Sequence, residues 1–163
     1  MAFDGIVRVV KDEDLSTPGT TQLYALGARH YKNGDEYVYV YNGGGANIGT
    51  GKYCVLQASG GSSTSGYTVT VTNASLAGWM AGVAQTTFVT AAYGFVMVRG
   101  VSLVALDSGE TQIAAQDDLA LGTDGGFVAA GATFSTAPRF GFAINSCVTT
   151  VGTGKARICG GVL

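Results

Sequence analysis

The chain has 163 residues, a net charge of −2, 47% hydrophobic and only 12% charged side chains, and 26 glycines. Disorder is excluded, because it pairs low hydrophobicity with high charge, and so is collagen, because the glycines keep no three-residue period and only two prolines accompany them. The weak negative charge gathers neither nucleic acid nor an anionic membrane, and the longest apolar runs, such as residues 101 to 106, fall far short of the ~18 residues of a membrane span.

The first residues, Met1 to Val10, lack a basic stretch followed by an apolar one and a cleavage site, so we expect a protein kept inside a cell until something else moves it. Lys11-Asp12-Glu13-Asp14 and Ser16-Thr17-Pro18-Gly19-Thr20 form a charged, turn-rich segment with little to bury. We therefore expect an N-terminal arm over residues 1–30, either mobile or strapped over a neighbour. A β-rich domain over 31–163 follows, with a soft subdivision near 80–95.

His30, the single histidine, sits in Arg29-His30-Tyr31 and is expected to pack on a strand. Acid–base work or zinc binding would need a nucleophile, carboxylate or further ligands beside it. Asn33-Gly34 is a strong hairpin signal, since both residues accept positive φ, and it leads into Glu36-Tyr37-Val38-Tyr39-Val40-Tyr41. Period-two alternation puts Tyr37, Tyr39 and Tyr41 on one face and the valines on the other. Such tyrosines either join a core or subunit contact, the better reading, or stack on sugar rings.

Ala46-Asn47-Ile48-Gly49-Thr50-Gly51-Lys52-Tyr53 approaches a phosphate-loop pattern. Tyr53 replaces the magnesium-binding hydroxyl, and a strand rather than a helix is predicted to follow, so a hairpin loop is the better reading. Further strands are predicted near 6–10, 53–58, 67–72, 93–99, 101–106, 111–115, 127–130, 140–147 and 156–159, with turns at Asn42–Gly45, Ser59–Ser62, Asp107–Gly109 and Asp124–Gly126. The helix candidates are short, 74–82 beside Trp79 and 112–121. The fold class expected is all-β: an antiparallel β-sandwich or barrel with an extended N-terminal arm and little helix.

Asp117-Asp118 with Asp124 lacks the spacing of a calcium loop, and no Gly-x-Ser-x-Gly elbow occurs. Cys54, Cys147 and Cys159 are expected as three buried thiols, a disulfide between two of them staying open. Asn73-Ala74-Ser75 matches a glycosylation sequon by chance. No enzyme activity, cofactor, metal or small-molecule substrate is therefore expected.

From Tyr53 to Val98, 46 consecutive residues carry no Asp, Glu, Lys or Arg. Such a stretch either hides many residues or faces other protein, unless hydroxyls alone keep it soluble, and we expect part of it at subunit contacts.

Leu26-Gly27-Ala28-Arg29, Asn33 to Val40, Gly49-Thr50-Gly51, Trp79 to Ala84 and Ala92 to Gly100 together resemble head decoration (cement) proteins of tailed bacteriophages, small minor capsid structural proteins. The similar stretch covers about residues 23 to 105, and its motifs are turn glycines and alternating strands. The resemblance implies a non-enzymatic homotrimer that binds the major capsid protein on the exterior of an icosahedral shell. It would stabilise the expanded form and be assembled in the host cytoplasm. Neither nucleic acid nor membrane is an expected partner. Candidate capsid or subunit contacts are Phe3, Arg8, Lys11, Tyr37, Tyr39, Tyr41 and Trp79. The alternative is a receptor- or carbohydrate-binding β-module of a virion or tail fibre, using exposed tyrosines.

Overall fold

The structure is a computed structural model describing residues 9–56, 67–71, 80–122, 124–129, 140–148 and 153–159. Its strands are β1 (Arg29–Lys32), β2 (Asp35–Asn42), β3 (Tyr53–Leu56), β4 (Thr68–Thr70), β5 (Met80–Ala84), β6 (Tyr93–Ala105), β7 (Gln112–Ile113), β8 (Asp118–Leu121), β9 (Phe127–Ala129), β10 (Gly141–Ala143), β11 (Cys147–Val148) and β12 (Thr153–Ile158). The only helical element among the described residues is a turn of 3-10 helix at Asp12–Ser16. The chain is therefore all-β, as its alternating strands and turn glycines predict.

Strands β2, β4, β3, β5 and β6 pair in that order, and β2 pairs again with β6, closing a five-stranded barrel. All of its ladders are antiparallel except β2–β4, where Tyr41 lies opposite Thr68 in parallel register. Val38, Val40, Ile48, Cys54, Val69, Ala81, Phe88, Val96 and Val98 fill its interior. The β1–β2 hairpin turns at Asn33 (φ 53°) and Gly34 (φ 86°), the positive pair its sequence signals.

A second sheet grows from the far half of β6 in the order β6-β12-β10-β8-β9. A parallel bridge from Leu106 to Phe127 brings β9 back to the end of β6, so this sheet curls into a ring. Its inward residues, among them Val104, Leu119, Phe127, Phe140, Ala156 and Ile158, pack on Tyr53, Val55, Met80 and Val83 from the outside of the barrel. A third cluster covers the opposite side, where Leu15 and Tyr24 lie on Tyr37, Tyr39, Phe95 and Met97.

β6 therefore has 13 residues and two lives. Residues 94–98 are all buried, while from Arg99 to Val104 burial alternates. Gly100 marks the change: its φ is 133°, a side chain there would collide with the Asp35 carboxylate, and Asp35 Oδ1 accepts the Val101 N–H at 3.0 Å.

The described parts of the two helix candidates are strand. Residues 80–82 are strand, with 72–79 lying outside the described residues, and 112–121 holds β7 and β8 around a turn with Gln116 at φ 74°. Met80–Ala84 is buried on both faces, so it shows no alternation, and its alanines read as helical. The strands expected at 93–99 and 101–106 are one continuous strand.

Candidate interaction surface

The described part of the expected arm lies on its own barrel. Gly19 exchanges backbone hydrogen bonds with Tyr93 at 3.0 and 2.7 Å, the Leu23 N–H donates to the Tyr39 hydroxyl at 3.1 Å, and the Tyr24 hydroxyl donates to Asp14. Tyr24 meets Tyr39 edge-on, ring centroids 5.2 Å apart.

Among the proposed contact residues, Tyr37 and Tyr39 are thus core within this chain, 8% and 3% exposed, and their rings are closed to a partner or a sugar. Burial, aided by Asp35 and Asp12, raises the Tyr37 hydroxyl pKa. Tyr41 is half-buried against Tyr93, at 4.7 Å between centroids. Lys11 is exposed and lies 3.5 Å from Glu13. Phe3, Arg8 and Trp79 lie outside the described residues.

The described residues of the charge-free stretch are mostly buried within the chain. They belong to β3, β4, β5 and the first half of β6, which face the barrel interior on one side and a second cluster on the other. Among them only Thr87, Val89, Thr90 and Ala91 are exposed, at one loop. For these described residues, two-sided burial accounts for the missing charge; residues 57–66 and 72–79 of the stretch lie outside the described residues.

The phosphate-loop-like string resolves into a structural clamp. β3 begins at Tyr53, so no helix N-terminus faces the loop. The Lys52 ammonium donates to Asp124 Oδ1 at 2.9 Å and to the Asp124 carbonyl at 3.1 Å; Asp124 Oδ2 accepts the Ser108 N–H, and the Asp124 N–H donates to Asp107. Burial works against ionising Asp124, but Lys52 and the Gly126 N–H outweigh it and hold its pKa down at about 2. Beside them, burial pushes the Tyr53 hydroxyl up to about 12, and that hydroxyl donates to the Gly122 carbonyl. These bonds fasten the β8–β9 turn to the barrel.

His30 Nε2 lies 3.8 Å from Asp12 Oδ1, and Lys32 Nζ lies 3.1 Å from Asp12 Oδ2, tying the 3-10 helix to β1. A shallow groove of about 240 Å³ beside them is lined by Asp12, Leu15, Lys32, Asp35, Tyr37 and Gln85, without His30. Asp117 accepts the Ala114 N–H at 2.8 Å as a turn cap. Cys54 and Cys147 are buried, but Cys159 is exposed at the end of β12, which corrects the expectation of three buried thiols. All three are free thiols, and burial pushes Cys54 up to about 12.

What remains open is the outward face of the second sheet. Register sets Val101, Arg157, Phe142 and Asp118 in one row, and Leu103 and Lys155 in the next, where the Ile144 N–H bonds the Lys155 carbonyl. Val101 and Leu103 are 39% exposed, Phe142 40% and Ile144 45%, half of the large exposed hydrophobics among the described residues. Arg99, Lys155 and Arg157 are exposed on the same face. The ion pairs of the described residues are Lys11–Glu13, Arg29–Glu36, His30–Asp12, Lys32–Asp12 and Lys52–Asp124, and none involves these three cations. Sequence reasoning missed this face, because its residues come from three separate segments, around 101–103, 142–144 and 155–157, that only strand register assembles.

No family model and no curated protein matches the chain. Among solved structures, it is similar to the N base of the head fiber gp8.5 in bacteriophage phi29, with a TM-score of 0.52 and 16% identity over 78% of this chain and 98% of that one. The two share a fold.

Proposed function

We propose that this chain is a non-enzymatic virion structural protein of a tailed phage that seats on the exterior of the icosahedral capsid, binds the major capsid protein and stabilises the expanded shell. The observation that carries this reading is the fold shared with a head fiber base along nearly that base's whole length. The resemblance of residues 23 to 105 to head decoration proteins supports it independently. Assembly in the host cytoplasm and a homotrimer complete the proposal. A ligand that binds only the expanded shell shifts the equilibrium toward it by mass action, and three linked copies touching several capsomers gain avidity without a tighter individual contact.

The burial of Tyr37 and Tyr39 removes those two rings from any sugar-stacking surface, which favours the capsid reading over a receptor- or carbohydrate-binding module. The test is to prepare shells of the encoding phage without this chain and add it back. Co-sedimentation at a saturating copy number, with a raised shell melting temperature, is expected. Failure to sediment with expanded shells rejects the reading.

A further inference from the structure

We propose that the outward face of β6, β12 and β10 is the docking surface, and that its occupant is a protein surface presenting carboxylates beside apolar side chains. This rests on the reading above, under which that surface belongs to the capsid shell.

The odd-numbered side chains of β6 point to one side of the sheet throughout. In the first half, Phe95 and Met97 on that side are covered by Leu15 and Tyr24. In the second half, Val101 and Leu103 on the same side stand open, flanked by Phe142 and Ile144. A sheet face with four large exposed hydrophobics in adjoining rows is what a partner covers.

Charge decides which partner. The chain carries 9 cations against 11 carboxylates, yet Arg99, Lys155 and Arg157 gather on this face without an ion pair among the described residues, against one carboxylate, Asp118, in the same row. Concentrated positive charge in an otherwise acidic molecule selects an anionic surface and speeds encounter with it. A second copy meeting face to face would bring three cations against three with only Asp118 on each side to offset them, because a two-fold contact pairs a patch with itself. Nucleic acid would reward the cations but leave the hydrophobics uncovered. An acidic protein surface with apolar side chains satisfies both.

The test uses the full chain and shells of the encoding phage prepared without it, with binding isotherms at low and high salt. The double variant Lys155→Glu/Arg157→Glu is expected to bind at least tenfold more weakly, and Phe142→Ser also to weaken binding. Val89→Ser, at the exposed barrel loop, is expected to bind as wild type. Wild-type affinity falls as salt rises, the variant's much less. Each variant changes an exposed side chain, and circular dichroism and melting confirm the fold. Wild-type affinity in both sheet variants overturns the docking face and leaves the capsid reading standing. Absence of binding by the wild type overturns both. The docking face is also overturned if the cations prove to bind duplex DNA instead of shells, or if the double variant converts a wild-type oligomer to monomers in sedimentation.

Discussion

The two halves of β6 share one backbone and one direction, yet Tyr93–Val98 is covered on both sides and Arg99–Val104 on only one. In the first half, even-numbered valines enter the barrel and odd-numbered Phe95 and Met97 lie beneath the N-terminal segment. In the second, Ser102 and Val104 turn inward while Arg99, Val101 and Leu103 face out. The difference teaches that what lies over a strand, rather than the strand itself, sets its composition. Covered on both sides, β6 carries no charge; uncovered, it alternates.

The largest test of this contrast places the same charge in each half. Val96→Asp puts an unpaired carboxylate where exposure is 0%, a cost of about 5 kcal/mol or more, comparable with the whole stability of a domain. We expect insoluble protein. Leu103→Asp, already 39% exposed, is expected to cost only about 1 kcal/mol in urea unfolding. Equal losses in the two variants would dissolve the comparison.

A smaller effect is expected at the junction. Gly100→Val forces a side chain onto Asp35 at φ 133° and is expected to cost about 3 kcal/mol. Gly34→Ala, also at positive φ but with open space around it, is expected to cost about 1 kcal/mol. If the two midpoints shift alike, strain alone matters and the contact with Asp35 does not.

The smallest concerns the clamp between the halves. Asp124 has a folded pKa of about 2, below the ~3.9 of an unfolded aspartate, so its contribution is complete above pH ~4 and is lost as pH falls through about 2. Its side chain is 35% exposed, so solvent screening keeps that contribution to about 1 kcal/mol. Asp124→Asn is expected to lower stability by that amount at pH 7 and to flatten the acid limb of the pH–stability curve. An unchanged acid limb would remove Asp124 from the account.

Much of the barrel was legible in the residues. The tyrosine–valine alternation of residues 36 to 41 and the Asn33-Gly34 turn each match a structural feature, because a strand whose valines enter the barrel while its tyrosines meet a different, aromatic cluster keeps a period of two, and a positive-φ pair leaves a local signature. Met80–Ala84 escaped for the opposite reason: with both faces buried it has no period. Closure of the barrel through β2 and β6, and the parallel β2–β4 pair, depend on contacts between distant segments that no local pattern encodes. The described part of the charge-free stretch is buried within one chain, but burial against another chain leaves the same mark on composition. The open face of the second sheet left none, since residues 101–103, 142–144 and 155–157 look unremarkable singly.

A strand shared by two cores also orders events in time. The barrel has all its strands once Ala105 has emerged from the ribosome, but the cover over Tyr53, Val55, Met80 and Val83 needs residues as late as Ile158. At translation rates of ~5–20 residues per second, that interval lasts roughly 3 to 10 seconds. During it, the apolar outer side of β3 and β5 lacks the residues that cover it in the folded chain. Apolar surface left open in this way is prone to aggregation, so the chain is exposed to it for as long as β12 is missing.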